Sequence, residues 1–265
     1  MADAGALGLL PAFFELAAPP GWRAIDFISD LHLCDALPCT FQAFEAHLNS
    51  TPADAVFILG DLFDVWVGDD MAKSGFERQC VQAMARAASR RTLAFMVGNR
   101  DFLVGSELLR QSGAMGLPDP TVLNAWGQRV LLSHGDALCL ADLPYQAFRR
   151  EVRSPVWQST FLARPLSERR KIASGLRQAS RQSHTRRQFD GASDADIDSG
   201  EAVHWMHAMG TPELVHGHTH RPGSNSLAPG FTRHVLSDWD LDTAQRAEVL
   251  RLTRDGFERL APTHP

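Results

Sequence analysis

Residues 24–34 read Ala24-Ile-Asp-Phe-Ile-Ser-Asp-Leu-His-Leu-Cys34, and residues 55–64 read Ala55-Val-Phe-Ile-Leu-Gly-Asp-Leu-Phe-Asp64. Each opens with an apolar run of strand length that stops at a polar cluster, which argues for a buried strand rather than a helix. Three more runs follow the same plan. Residues 93–97 lead into Gly98-Asn-Arg-Asp101, residues 130–132 into His134-Gly-Asp136, and residues 214–215 into Gly217-His-Thr-His220. Helix-like stretches at residues 41–48, 76–88 and 106–111 lie between them. Alternating strands and helices predict a layered α/β fold. Two later strand candidates, residues 232–236 and 247–252, have no helix between them, so a mixed sheet or two packed sheets is expected.

The rest of the chain sets bounds on this frame. Its 265 residues and 44% hydrophobic content suit one sizeable core with an insertion. A net charge of −5 names no partner by itself. Cys34, Cys39, Cys80 and Cys139 show neither paired metal spacing nor disulfide density, so a reducing cytosol is expected, with Cys34 and Cys139, which lie near motifs, as packing residues rather than ligands. The apolar residues 6–18 are interrupted by Pro11 and Glu15 and preceded by no basic residue. That excludes a signal peptide or spanning helix and leaves a short surface-packed helix as the expectation. Residues 1–22 are therefore read as an N-terminal extension, and residues 23–142 with 201–265 as the core.

Residues 143–200 read as a helical insertion. From residue 143 to 187 there are eleven Lys and Arg against two acidic residues, Glu151 and Glu168. Large apolar side chains such as Tyr145, Trp157, Phe161 and Leu176 are interleaved with them. Residues 190–200, rich in Asp, Ser and Gly, read as a loop.

Loops at the carboxyl ends of strands in an open sheet converge on one crevice, so the five clusters can meet. Their residue types fit a centre that hydrolyses a phosphate ester or anhydride. Two divalent cations neutralise an anionic substrate, acidify a water and hold the leaving oxygen. Such a pair needs mixed oxygen and imidazole donors with one carboxylate shared. Asp30 and His32, two apart, would point to one side of an extended strand. Asp61 is the natural bridge, Asn99 offers a carbonyl oxygen, and His134, His218 and His220 offer imidazoles. This donor set suits Mn, Fe or Zn better than Ca. Asp64 and Asp136 are expected to orient ligands, and Asp101 to fix Arg100 or a histidine.

The order D-x-H, G-D-x-x-D, G-N-x-D, H-G-D, G-H-x-H resembles the signature of the calcineurin-like metallophosphoesterases across residues 25–222. The resemblance implies a four-layer αββα core with the metal pair above two sheets. It implies one metal on Asp30, His32, Asp61 and His220 and a second on Asp61, Asn99, His134 and His218. Where most members have His after the motif's Asn, this chain has Arg100. Arginine cannot act as a general acid at neutral pH, but it clamps phosphate bidentately. The change favours an anhydride, whose leaving group needs no proton.

The surrounding residues resemble one branch more closely, the UDP-2,3-diacylglucosamine pyrophosphatases of lipid A biosynthesis. Matching stretches include Ile28-Ser-Asp-Leu-His-Leu-Cys34, Gly98-Asn-Arg-Asp-Phe-Leu103, His134-Gly-Asp-Ala-Leu-Cys139, Tyr145-Gln-Ala-Phe-Arg149 and His216-Gly-His-Thr-His-Arg-Pro222. That branch implies a manganese-dependent hydrolase, with two Mn(2+) per chain, yielding UMP and 2,3-diacylglucosamine 1-phosphate by attack of water on the α-phosphorus. It implies that Asp61, Asn99, Arg100, His134 and His218 serve catalysis. It further implies substrate contacts at Asn99, Arg100, Asp142, Ser180, His184, Arg187 and His218, with His184 and Arg187 standing where the branch usually has Asn and Lys. The insertion would cap the site, take the acyl chains and rest on the cytoplasmic face of the inner membrane as a peripheral, monomeric protein. Other readings are a phosphodiesterase or nucleotide pyrophosphatase acting on a soluble substrate, an inactive scaffold, and a nuclease. The intact ligand set speaks against the scaffold, and the scarcity of aromatics in the insertion against nucleic acid.

Overall fold

The computed structural model describes residues 10–189 and 196–263, without the side chains of residues 179–189. The first strand, β1 (Phe14–Ala17), is followed by β2 (Ala24–Ile28), helix α1 (Pro38–Ser50), β3 (Ala55–Leu59), α2 (Gly75–Ala88), β4 (Thr92–Met96), α3 (Ser106–Ser112) and β5 (Met115–Leu117). Strands β6 (Thr121–Ala125) and β7 (Gln128–Ser133) come next, and then three consecutive helices, α4 (Leu143–Val152), α5 (Pro155–Leu162) and α6 (Leu166–Phe189). The chain ends with α7 (Ser199–Ala208), β8 (Glu213–His216), β9 (Gly223–Ala228), β10 (Phe231–Val235), β11 (Val249–Thr253) and β12 (Gly256–Leu260).

These strands form two six-stranded sheets, β1-β6-β7-β8-β10-β9 and β12-β11-β2-β3-β4-β5. The period-2 pattern of β3 explains how they stack. Phe57 and Leu59 face the interior between the sheets with Ile25, Phe27, Leu132 and Val215. Val56 and Ile58 face outward onto Phe44, Leu48 and Met84 of α1 and α2. On the far face of the other sheet, Leu131 and Leu214 pack against Trp205 and Met206 of α7. Because both faces of the sheet are covered, the central strand β3 is apolar throughout rather than alternating. The helix–sheet–sheet–helix layering matches the fold class expected from the sequence.

The parallel register β2–β3–β4 pairs Ile28 with Ile58 and Ile58 with Phe95, so the three following loops leave the sheet side by side. In the other sheet Ser133 of β7 pairs with His216 of β8 and brings the last two clusters together in the same way.

One expectation fails at the N-terminus. Among the described residues of the apolar stretch 6–18 there is no helix; Phe14–Ala17 is an edge strand paired in parallel with Thr121–Asn124. Four residues cannot make two helical turns, whereas an open sheet edge supplies backbone partners at once. The loop expected at residues 190–200 lies partly outside the described residues, and from Ser199 onward it is helix α7, capped by Asp198, whose side chain accepts from the Glu201 N–H at 2.8 Å.

Asp26 ties β2 and β11 to α1. Although fully buried, its carboxylate accepts from Arg251 Nε at 2.7 Å and Nη2 at 2.9 Å and from Thr51 Oγ1 at 2.6 Å, with His47 Nε2 at 3.3 Å. Burial alone would raise its pKa, but these partners outweigh burial and bring it down to about 2. Its stabilising contribution is thus complete above the unfolded pKa and disappears as pH falls from about 4 toward 2. Asp26→Asn is expected to cost roughly 3–5 kcal/mol at pH 7, the range for breaking a buried pair. In urea melts, the gap to wild type should narrow by about 1 kcal/mol at pH 3; a gap independent of pH would refute this account.

Candidate metal centre

The backbone brings the clusters together before any side chain does. The Asp30 N–H donates to Gly60 O at 3.1 Å and the His32 N–H to Asp61 O at 3.0 Å, joining the loops after β2 and β3. The Gly217 N–H donates to His134 O at 3.0 Å in the other sheet, and the His218 N–H crosses between sheets to Asp30 Oδ2 at 2.9 Å.

Five of the seven expected ligands have left-handed backbone: Asp30 (φ 55°), His32 (φ 49°), Asp61 (φ 53°), His218 (φ 65°) and His220 (φ 52°). The expectation that Asp30 and His32 share one face of an extended strand is therefore corrected. Strand β2 ends at Ile28, and both residues lie in the turn beyond it. Left-handed conformation at a non-glycine residue costs about 1–3 kcal/mol and persists only where the surroundings enforce it.

All seven side chains converge. Ligand atoms of Asp30, His32 and His220 lie within 4.8 Å of one another, as do those of Asp30, Asp61 and His134. Asp61 lies between the two halves, with Oδ2 3.4 Å from His32 Nε2 and Oδ1 3.7 Å from His134 Nε2. Asn99 Oδ1 sits 2.9 Å from His134 Nε2 and 2.7 Å from His218 Nδ1. The two groups of candidate donors have Asp30 in common, and Asp61 stands between His32 and His134.

Close approach explains two glycines. A Cβ on Gly98 would run into the Asp61 carboxylate, and one on Gly217 would strike Asp30 Oδ2 and Ser29. The glycines of Gly-Asn and Gly-His thus clear space for a ligand belonging to another loop.

The electrostatics describe a demand for positive charge. Burial pushes the Asp30 and Asp61 pKa values up, yet the surrounding imidazoles hold both well below the usual carboxylate range. Burial lowers His134, but the charges of Asp61, Asp30 and Asp136 raise it to about 9. Burial and the charge on His134 lower His218 to about 4. The cluster draws a proton onto one imidazole and refuses it on the next. His134 Nδ1 donates to Leu59 O at 2.9 Å, which aims Nε2 at Asn99 and Asp61. Asp30 Oδ1, fully buried, has His220 Nε2 3.3 Å away but no hydrogen bond of good geometry. Oxygen and imidazole donors around such a carboxylate oxygen fit divalent transition-metal ions, and metal binding would displace the His134 proton.

The supporting carboxylates behave differently from the expectation. Asp101 fixes neither Arg100 nor a histidine. It accepts from the backbone N–H groups of Gly98 (2.7 Å), Leu62 (2.8 Å), Asp61 (3.3 Å) and Phe63 (3.4 Å), so it shapes the turn that carries Asp61. Burial and the Asp61 charge raise its pKa to about 7. Asp136 orients no metal ligand directly. Its Oδ2 accepts from Tyr145 Oη at 2.5 Å, Arg149 Nε at 2.8 Å and Arg153 Nη2 at 3.4 Å. Asp64 accepts from Arg100 and Arg177, as taken up below.

Sequence reading missed how far the insertion reaches into this site. The Tyr145 ring stacks on His218 with centroids 5.9 Å apart, and Arg153 donates to Gly98 O at 2.9 Å. Arg169 pairs with Asp70 and with Val67 O, and Arg170 with Glu77. Much of the basic excess noted in the sequence thus holds helices to core carboxylates; the concentration of arginines between residues 149 and 177 was the available signal. Arg100 faces Asp61 Oδ2 at 3.5 Å. Asp142 caps α4, accepting from the Tyr145 N–H at 3.2 Å. Ser180, His184 and Arg187 lie outside the residues whose side chains are described.

Comparison with known proteins agrees with these motifs. The family described as calcineurin-like phosphoesterase matches residues 24–222. A protein of Xanthomonas axonopodis pv. citri named UDP-2,3-diacylglucosamine hydrolase is 42% identical over 246 residues, covering 89% of this chain and 98% of its own. Proteins of the same name from Chromobacterium violaceum and Aromatoleum aromaticum are 46% and 43% identical, each covering 82% of this chain and 90% and 89% of their own.

Gly98→Ala tests the clearance around Asp61. We expect Mn(2+) affinity in equilibrium dialysis to fall by roughly 10-fold or more, with the far-UV circular dichroism of the wild type retained. Undiminished affinity would mean that the glycine is not what positions the Asp61 carboxylate.

Proposed function

Because the chain belongs to the calcineurin-like phosphoesterase family, we propose that it hydrolyses the pyrophosphate bond of UDP-2,3-diacylglucosamine, yielding UMP and 2,3-diacylglucosamine 1-phosphate. One observation carries this reading above the others: the likeness to hydrolases of that name extends over 89% of the chain and so takes in the helical insertion as well as the metal motifs.

Asp30, His32, Asp61 and His220 would hold one cation, and Asp61, Asn99, His134 and His218 the other. Bound there, two divalent ions, manganese in our reading, supply the charge that a diphosphate needs and the acidity that makes hydroxide available at neutral pH. The chain's own residues do the rest. Leu59 O fixes the ring of His134, Asp101 fixes the turn bearing Asp61, and Tyr145 packs on His218. Arg100 lies beside Asp61 and can bind the phosphoryl oxygens, but it has no proton to give. Attack at the α-phosphorus expels a sugar 1-phosphate, which leaves without one.

The insertion is read as a cap over the site that houses the acyl chains, with Asp142, Ser180, His184 and Arg187 as substrate contacts. Trp157 stacks on Phe161 at 4.7 Å and lies 6.1 Å from Phe102, forming an apolar wall against the core. Leu143 on α4, which also carries Arg149 and Arg150, is 72% exposed, and Val156 on the neighbouring α5 is 77% exposed; apolar side chains beside arginines suit an anionic lipid surface. Among the described residues no helix is long and apolar enough to cross a membrane. Peripheral attachment to the cytoplasmic face of the inner membrane belongs to this reading, with a monomer as the default state.

Purified protein with Mn(2+) and UDP-2,3-diacylglucosamine in detergent is expected to release UMP, and Asp61→Ala to release none. Turnover of bis(p-nitrophenyl) phosphate without UMP release would retain the metal centre and discard the lipid substrate.

A further inference from the structure

Asp64 closes the Gly60-Asp-Leu-Phe-Asp64 motif, and its carboxylate is shared by two guanidiniums from different parts of the chain. Arg100 Nη1, from the loop after β4, donates to Oδ1 at 2.9 Å. Arg177, from α6 of the insertion, donates to both carboxylate oxygens. Arg100 is held on its other edge as well. Its Nε lies 3.5 Å from Asp61 Oδ2, and its backbone N–H donates to Asp61 Oδ1 at 2.8 Å. The three side chains of the Arg100–Asp64–Arg177 group are only 31%, 25% and 23% exposed, so solvent screens the group only in part.

We propose that Asp64 is a positioning residue for the hydrolysis. It keeps Arg100 aligned beside the shared carboxylate and, through Arg177, makes that alignment depend on the seating of α6. The proposal rests on reading the centre as a phosphoanhydride hydrolase. An arginine without a partner must surrender its rotamer freedom when it engages phosphate, whereas one already held surrenders little. Asp64 takes one of the five N–H donors of Arg100 at 2.9 Å. Two guanidiniums against one carboxylate leave the group net positive, so the anchor does not cancel the attraction for a diphosphate. The motif's second aspartate thus acts on the arginine that stands where most relatives would place an acid.

The test is a double-mutant cycle. Asp64→Asn keeps the shape and one acceptor oxygen but removes the charge. We expect kcat/KM for UDP-2,3-diacylglucosamine to fall about 10-fold, the lower end for an orienting partner, with metal content and Tm as in wild type. In an Arg100→Ala background the same change should have no further effect. Arg177→Ala, which leaves the core motif intact, should give a smaller loss that is likewise silent without Arg100. Equal losses in both backgrounds would overturn the proposal, as would an Asp64→Asn enzyme at or above wild-type turnover. The cycle is read in parallel with bis(p-nitrophenyl) phosphate. If the wild type turns over only this diester, the substrate assignment fails, while the coupling of Asp64 to Arg100 is still decided.

Discussion

Asp30 and Asp61 are carboxylates placed where water does not reach, with 0% and 1% of their surface exposed. Burying an ionised carboxylate is affordable only when cations or donors surround it. Much of the local architecture answers that requirement. Histidines from three loops approach them, glycines withdraw to let the carboxylates in, and Asp101 gathers the amides of the turn beneath Asp61. Five left-handed residues add backbone strain, which the two sheets hold in place through the loop-to-loop hydrogen bonds at their carboxyl ends. The rigidity of the core is what allows so unfavourable a local conformation to persist.

Much of this could be read in the residue order. The apolar runs of β2 and β3 coincide with the observed strands because strands covered on both faces carry a continuous hydrophobic signal. Sequence reading did not find β5, β6, β9 or β12, and two of these are weak for physical reasons. Strand β5 has three residues, and β9 is Gly223–Ala228, a mostly polar edge strand whose partner, β10, supplies its hydrogen bonds. For residues 14–17 the apolar pattern was visible, but the choice between helix and strand depended on a distant partner, β6.

The site divides along the same line. That the seven candidate donors would meet was legible, because each follows a strand end and the chemistry restricts such donors to a few residue types. Their conformations were not, since the left-handed turns at Asp30 and His32 result from contacts with the loops after β3 and β8. Nor were the duties of Asp64, Asp101 and Asp136. An aspartate in a motif looks the same whether it serves a metal, a backbone turn or a distant arginine, and only the fold distinguishes these.

Asp136 carries an implication for how such a chain can be altered. It belongs to the His-Gly-Asp motif of the core, it is completely enclosed, and the side-chain partners of its Oδ2, Tyr145, Arg149 and Arg153, come from α4 and the residue after it. A shortened chain without those helices would therefore leave a charged group stranded inside the core. The helices and the core are not interchangeable modules: exchanging the insertion for that of a relative demands that the newcomer bring its own donors to Asp136, or that Asp136 be replaced along with it.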